Sequence, residues 1–175
     1  MTNEILSEGA AAALNQGLND FDAWIQSITA KDLEFVFFDL LGFSELRWIS
    51  VAKYRGLNVN ARTDEGHSIF VEAVYLWNQP LGNDKLHIRR RIFLNVLELL
   101  SLGADPKPRP TDPFSATALA VALDIPELAT LFVLGGASLD CDEPDDNTPN
   151  RTLRETLLAS GKPWSEMLVN IAEGA

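Results

Sequence analysis

Few residues in this chain have the types and spacing needed for chemistry. The histidines are His67 and His87. Either could move a proton near neutral pH, or activate a serine or cysteine beside it. Neither has such a partner at a recognisable spacing, although a catalytic triad can be assembled from distant residues. An exposed or capping histidine is the plainer reading of both. The densest polar cluster is LDCDEPDDNTP at 139–149, where Asp140, Asp142, Glu143, Asp145 and Asp146 crowd around Cys141. A calcium loop wants oxygen ligands at alternate positions and glycine at its sixth. Counted from Asp140, Pro144 takes the third ligand position and Asp145 replaces that glycine, so the pattern fails. Zinc would need a second cysteine and paired histidines. No catalytic residue, metal or cofactor is expected. The cluster reads either as a turn-forming hairpin tip that caps a helix starting at Thr148, or as an acidic knob offered to a basic partner.

The basic counterpart is HIRRR, with Arg89, Arg90 and Arg91 in a row. Two or three of these must face away from the Ile88/Ile92 stripe, and a solvated helix face is the default for them. GLNVN and GGASLD lack the Gly-Lys-Ser/Thr ending of a phosphate-cradling loop. Charge is unevenly spread. Residues 1–45 hold eight acids and one base, 46–110 hold ten bases and six acids, and 111–150 hold eight acids and no base. The net charge of −11 makes nucleic acid a poor partner and a cationic protein a good one.

At 175 residues with 46% hydrophobic content, the chain is expected to be one globular domain with a real core. The longest apolar run, FVFFDLL at 35–41, is short and carries Asp39, so no membrane span is expected. The first sixteen residues carry acids where a secretory signal would carry lysine or arginine. One cysteine allows no intrachain disulfide, and a cytoplasmic location is the expectation.

The elements that must position these residues show a period. Gly103 opens GADPK, and Gly136 opens GASLD 33 residues later. Gly56 opens GLNVN, one such period plus 14 residues before Gly103. Each glycine follows an amphipathic segment (WISVAKYR, VLELLSL, ATLFVLG), where a helix must stop and a left-handed residue is wanted. Ser68, Thr117 and Thr148 follow as candidate N-caps. Leu99, Leu100, Phe132 and Val133 supply an apolar stripe, and Ala73 and Ala122 allow close helix approach. The 14 extra residues lie in WNQPLGNDKLHIRRRIF. Beyond the Pro80–Asn83 turn, Ile88, Ile92, Val96 and Leu100 predict a continuous helix of about 17 residues. Residues 1–42 read as two or three helices, and PWSEMLVNIAEG as a short terminal helix starting near Pro163.

DEGHSIFVEA at 64–73, LLSLGAD at 99–105, SATALAVA at 115–122, VLGGASLD at 133–140 and DDNTPNRTL at 145–153 together resemble the ankyrin repeat. The matches are degenerate, and only Thr148-Pro149 keeps the family's Thr-Pro pair. The resemblance implies an all-α solenoid with short hairpin loops: a helical cap at 1–42, repeats over 43–161 with the expansion near 78–91, and a capping helix at 162–175. It also implies a concave groove, lined by hairpin tips and first-helix surfaces, that holds a protein partner. By position this groove would present Arg62, Asp64, Glu65, His67, Glu72, Tyr75 and Trp77, then Asp105, Lys107, Arg109 and Asp112, then Asp140, Asp142, Glu143, Asp145 and Asp146. The expected function is a non-enzymatic, monomeric binding module. Its most specific form is an immunity or inhibitor protein that neutralises a cationic toxin or effector, as some short ankyrin-like bacterial proteins do. A general adaptor or regulatory scaffold is the alternative, and an enzyme or metal-dependent protein a remote one.

Overall fold

The computed structural model describes residues 3–43, 48–79, 85–110, 112, 114–140 and 151–174. Among these the chain is all-helical and contains no strand, only a single bridge between Arg62 and Ser68. The helices are α1 (Asn3–Gln16), α2 (Leu18–Ile25), α3 (Ala30–Asp39), α4 (Trp48–Tyr54), α5 (Ile69–Asn78), α6 (Lys85–Ser101), α7 (Ala116–Ala122), α8 (Pro126–Leu134), α9 (Leu153–Ser160) and α10 (Pro163–Ala172). A 3-10 turn, Leu40–Gly42, extends α3.

Local chemistry sets the starts. Thr29 and Thr152 each accept a backbone N–H from three residues on, and Asp32 and Glu155 answer through the cap N–H, closing a capping box on α3 and α9. Ser68 and Ser115 cap α5 and α7 in the same way, without the reciprocal carboxylate. Pro126 and Pro163 open α8 and α10, where a missing N–H costs nothing. The second cap is therefore Ser115, not Thr117, which lies inside α7, fully buried with no hydrogen-bond partner for its hydroxyl among the described residues. The helix expected to start at Thr148 starts at Leu153 behind Thr152. Thr148 itself lies outside the described residues.

One device ends three helices at a glycine, and α7 ends by the same pair of bonds at Asp124, whose φ is 58°. Gly56, Gly103 and Gly136 have φ of 102°, 83° and 100°. Each donates its N–H three residues back, to Lys53, Leu100 and Val133, and the next residue donates five back, from Leu57 to Ala52, Ala104 to Leu99 and Ala137 to Phe132. The residues joined by the longer bond are all buried, so each ending carries its own apolar contact. An L-residue with a Cβ pays about 1–2 kcal/mol to hold that left-handed conformation.

The helices form two files. Along one, α2, α4, α6, α8 and α10 pack each on the next; along the other, α1 meets α3, the 3-10 turn meets α5, and α5 meets α7. α6 has the 17 residues expected, with Ile92, Val96 and Leu99 buried. The two ends are packed differently from the middle. Phe21, Phe37 and Trp48 are buried at the N-terminal end in edge contacts with centroids 5.9 Å apart. In the middle Phe70 meets Phe132 edge-on at 5.3 Å, among the small residues Ala73, Ala116, Ala118 and Ala120. Ala122, expected among these, is exposed. At the C-terminal end α10 packs on both α8 and α9, with Leu168 and Val169 buried and Trp164 and Ile171 half-buried.

Candidate partner-binding surface

The first hairpin runs from Gly56 to Ser68, and three hydrogen bonds close its tip. Thr63 donates its N–H to the His67 carbonyl at 3.0 Å, Gly66 donates to the Thr63 carbonyl at 2.9 Å, and His67 donates to the Thr63 hydroxyl at 3.2 Å. Asp64 and Glu65 stand exposed at that tip. The Glu65 carboxyl is held below its ordinary pKa by its own backbone N–H and the Thr63 hydroxyl, with the nearby His67 adding to this against a desolvation cost.

Two depressions flank the tip and share Glu65. The first, of about 370 Å³, lies between Arg62–Glu65 and the side chains Lys31, Glu34, Phe38 and Asp39 of α3. Asp39 also accepts a hydrogen bond from Ser7 on α1. The second, of about 590 Å³, is bounded by Glu65, His67, Glu72 and Tyr75, and by Asn78 and Gln79 at the end of α5. The His67 Nδ1 lies 2.9 Å from Glu72 Oε1, and the ring is set between Tyr75 at 5.6 Å and Phe114 at 5.5 Å. His67 is thus half-buried between two hairpins, neither fully exposed nor a helix cap. His87 is exposed.

Some residues expected to face a partner are used within the molecule. Arg62 donates from Nε and Nη2 to the two oxygens of Asp112, both at 2.9 Å, and from Nη1 to the carbonyls of Asn60 and Ala61. The side chains are only 15% and 6% exposed. Asp112 also accepts the Arg109 N–H at 2.9 Å. Burial works against its charged form, but the Arg62 and Arg109 contacts outweigh it and hold its carboxyl below the usual range. Asn60 completes the join: its side chain accepts the Asp105 N–H at 2.8 Å, and its carbonyl accepts from Arg109 at 3.2 Å. Arg62, Asp105, Arg109 and Asp112 therefore staple the first hairpin to the second.

Trp77 requires a correction. It is 6% exposed, its carbonyl accepts from Arg89 Nε at 3.2 Å, and the Arg89 guanidinium lies 5.2 Å from its ring centre. It packs inside, so Arg89 is not a solvated face residue, whereas Arg90 is exposed. Lys107 is exposed beside Asp105, and Asp140 is exposed and paired with Arg154 at 2.8 Å. Asp142, Glu143, Asp145 and Asp146 lie outside the described residues, as does Cys141. Among the described residues, Asp64, Glu65, His67, Glu72 and Tyr75 come together around the first tip, while Lys107 lies on the second hairpin and Asp140 follows the turn at Gly136.

Sequence reasoning missed Lys31, Glu34 and Asp39, because α3 was assigned to a cap and not to the binding side. The available signal was Thr29, which caps α3 as Ser68 caps α5. It also missed Asn78, Gln79 and Phe114, whose types carry no local sign of a site. Among the described residues, no group of three or more His, Cys, Asp or Glu is arranged to hold a metal ion, and no helix is long and apolar enough to cross a membrane. No family model, curated protein or solved structure matches the chain.

Proposed function

We propose that this chain is an ankyrin-like solenoid that acts by binding, and that its hairpin-bearing side takes a cationic protein. The recurring helix ending, the hairpins between helix pairs and the two helix files support the solenoid reading. The observation that carries the partner reading is the charge of the two adjoining depressions. Glu34, Asp39, Asp64, Glu65 and Glu72 line them against two cations, Lys31 and Arg62, and the Arg62 charge is matched by Asp112. Such a surface speeds encounter with a basic partner and disfavours acidic ones.

The most specific form is an immunity or inhibitor protein, cytoplasmic and monomeric on its own, that covers the active surface of a cationic toxin or effector. The alternative, an adaptor, is favoured by a second exposed surface. α6 presents Leu86, Leu94 and Leu97 to solvent on the file away from the first hairpin tip, and an adaptor needs two faces.

The test is an affinity capture from the native lysate at low and moderate salt, with mass spectrometry of what is retained. A single basic protein in one-to-one ratio, whose own activity falls on binding, is the expected result. Several weakly held proteins indicate the adaptor. Capture of an acidic protein, insensitive to salt, overturns the charge argument.

A further inference from the structure

Resting on that reading, we infer that the depression at the C-terminal end of α5 is a receptor for one arginine side chain of the partner, stacked on Tyr75 and held between Glu65 and Glu72.

Four features converge on this occupant. The first is charge. Glu65 and Glu72 stand on the wall, no lysine or arginine is among the described residues that bound this depression, and the His67 Nδ1 already faces Glu72. The second is the wall itself. Tyr75 offers an aromatic ring, steadied by its contact with His67, and a guanidinium stacks on such a face with both cation–π and planar contact. The third is the helix end. Asn78 and Gln79 close the depression at the C-terminus of α5, where the backbone carbonyls carry partial negative charge. The last turn of α5 holds no basic residue, and Arg89 takes the Trp77 carbonyl. The fourth is the number of acceptors. Glu72 keeps one oxygen beyond the one facing His67, Glu65 is fixed by the Thr63 turn, and the side-chain amides of Asn78 and Gln79 add carbonyl oxygens. Arginine has five donors in a rigid fork to meet them, whereas lysine is a compact point charge.

The arrangement is partly pre-formed. His67 contacts both Tyr75 and Phe114 and faces Glu72, so Glu72 is already oriented before a partner arrives. Less conformational freedom is then lost on binding.

The experiment is a nuclear magnetic resonance titration of the full chain with N-acetyl-arginine amide, with the lysine and citrulline counterparts as comparisons. Citrulline keeps the shape of arginine without its charge. Saturable shifts confined to residues 65–79 are expected for arginine, at least about fivefold weaker for lysine and absent for citrulline. Glu65→Gln and Tyr75→Leu are each expected to weaken arginine about fivefold. Glu127→Gln and Glu166→Gln, which remove the same charge from exposed positions on α8 and α10, are expected to leave it unchanged. Equal weakening by the distant variants, an equal response to citrulline, shifts centred on α3, or no saturable shift anywhere would each overturn the assignment. The two levels fail separately. If the lysate capture retains a basic protein while arginine bypasses residues 65–79, the partner reading stands and the arginine receptor falls. If arginine binds there while no basic protein is captured, the reverse holds.

Discussion

Arg62 and Arg154 each grip an aspartate distant in the chain, and the two pairs sit in different physical surroundings. Arg62 and Asp112 are 15% and 6% exposed, share two bonds of 2.9 Å, and are backed by the Asn60 and Arg109 contacts. Arg154 is 26% exposed and divides its fork between Asp140 and Glu173, which are 64% and 60% exposed. Water competes for the second pair and scarcely reaches the first. The same residue types therefore build a structural staple between the first two hairpins and a solvent-screened contact at the start of α9.

The sharpest way to break this contrast is Asp112→Ala. It strands a mostly buried guanidinium, and we expect a loss of about 3 kcal/mol in urea unfolding. The double variant with Arg62→Ala should cost less than the two single losses added together, since the pair is one unit. A loss under 1 kcal/mol would place the staple in the solvent-screened class.

Acid probes the same pair. Because Asp112 stays charged to lower pH folded than unfolded, the unfolded chain binds more protons as the medium is acidified. Its contribution is therefore fully present above the ordinary carboxylate value of about 3.9 and disappears as pH falls through the lower folded value. Melting temperature should fall below about pH 4, less steeply in Asp112→Asn.

Gly103→Ala, in the ending that leads into the second hairpin, should cost about 1–2 kcal/mol for its left-handed backbone. Ser115→Ala should cost about 1 kcal/mol as a lost helix cap. Thr117→Val, two residues on, should be neutral or stabilise by up to about 1 kcal/mol, because its buried hydroxyl has no hydrogen-bond partner among the described residues. A large loss at Thr117 with none at Ser115 would reverse the cap assignment. The smallest effect belongs to the exposed pair: Arg154→Ala should leave the melting temperature unchanged within error.

The helix endings were legible because they are local. A glycine just past an amphipathic run is a local signal for the turn seen at Gly56, Gly103 and Gly136. The 17 residues of α6 were legible because its apolar residues keep one period throughout. The cap of α7 was misplaced because Ser115 and Thr117 are equally good capping types two residues apart. What separates them is the twelve-residue interval from Gly103, the same interval that joins Gly56 to Ser68. The staple was illegible for a different reason. Arg62 and Asp112 are fifty positions apart, and both read as groove charges until the second hairpin is laid against the first. Trp77 read as a surface anchor because Arg89, whose guanidinium lies against its ring, is twelve positions on.

Gly135 bears on the geometry of the array in another way. Its φ of −76° is ordinary, so it is not required for its backbone freedom. A Cβ there would lie 2.6 Å from Leu100 Cδ2 and 3.2 Å from Pro106 Cγ. Leu100 would have to rotate aside, and Pro106 would have to give by a few tenths of an ångström. The absent side chain thus lets the end of α8 lie against Leu100 and Pro106, and a methyl group there would act as a shim between them.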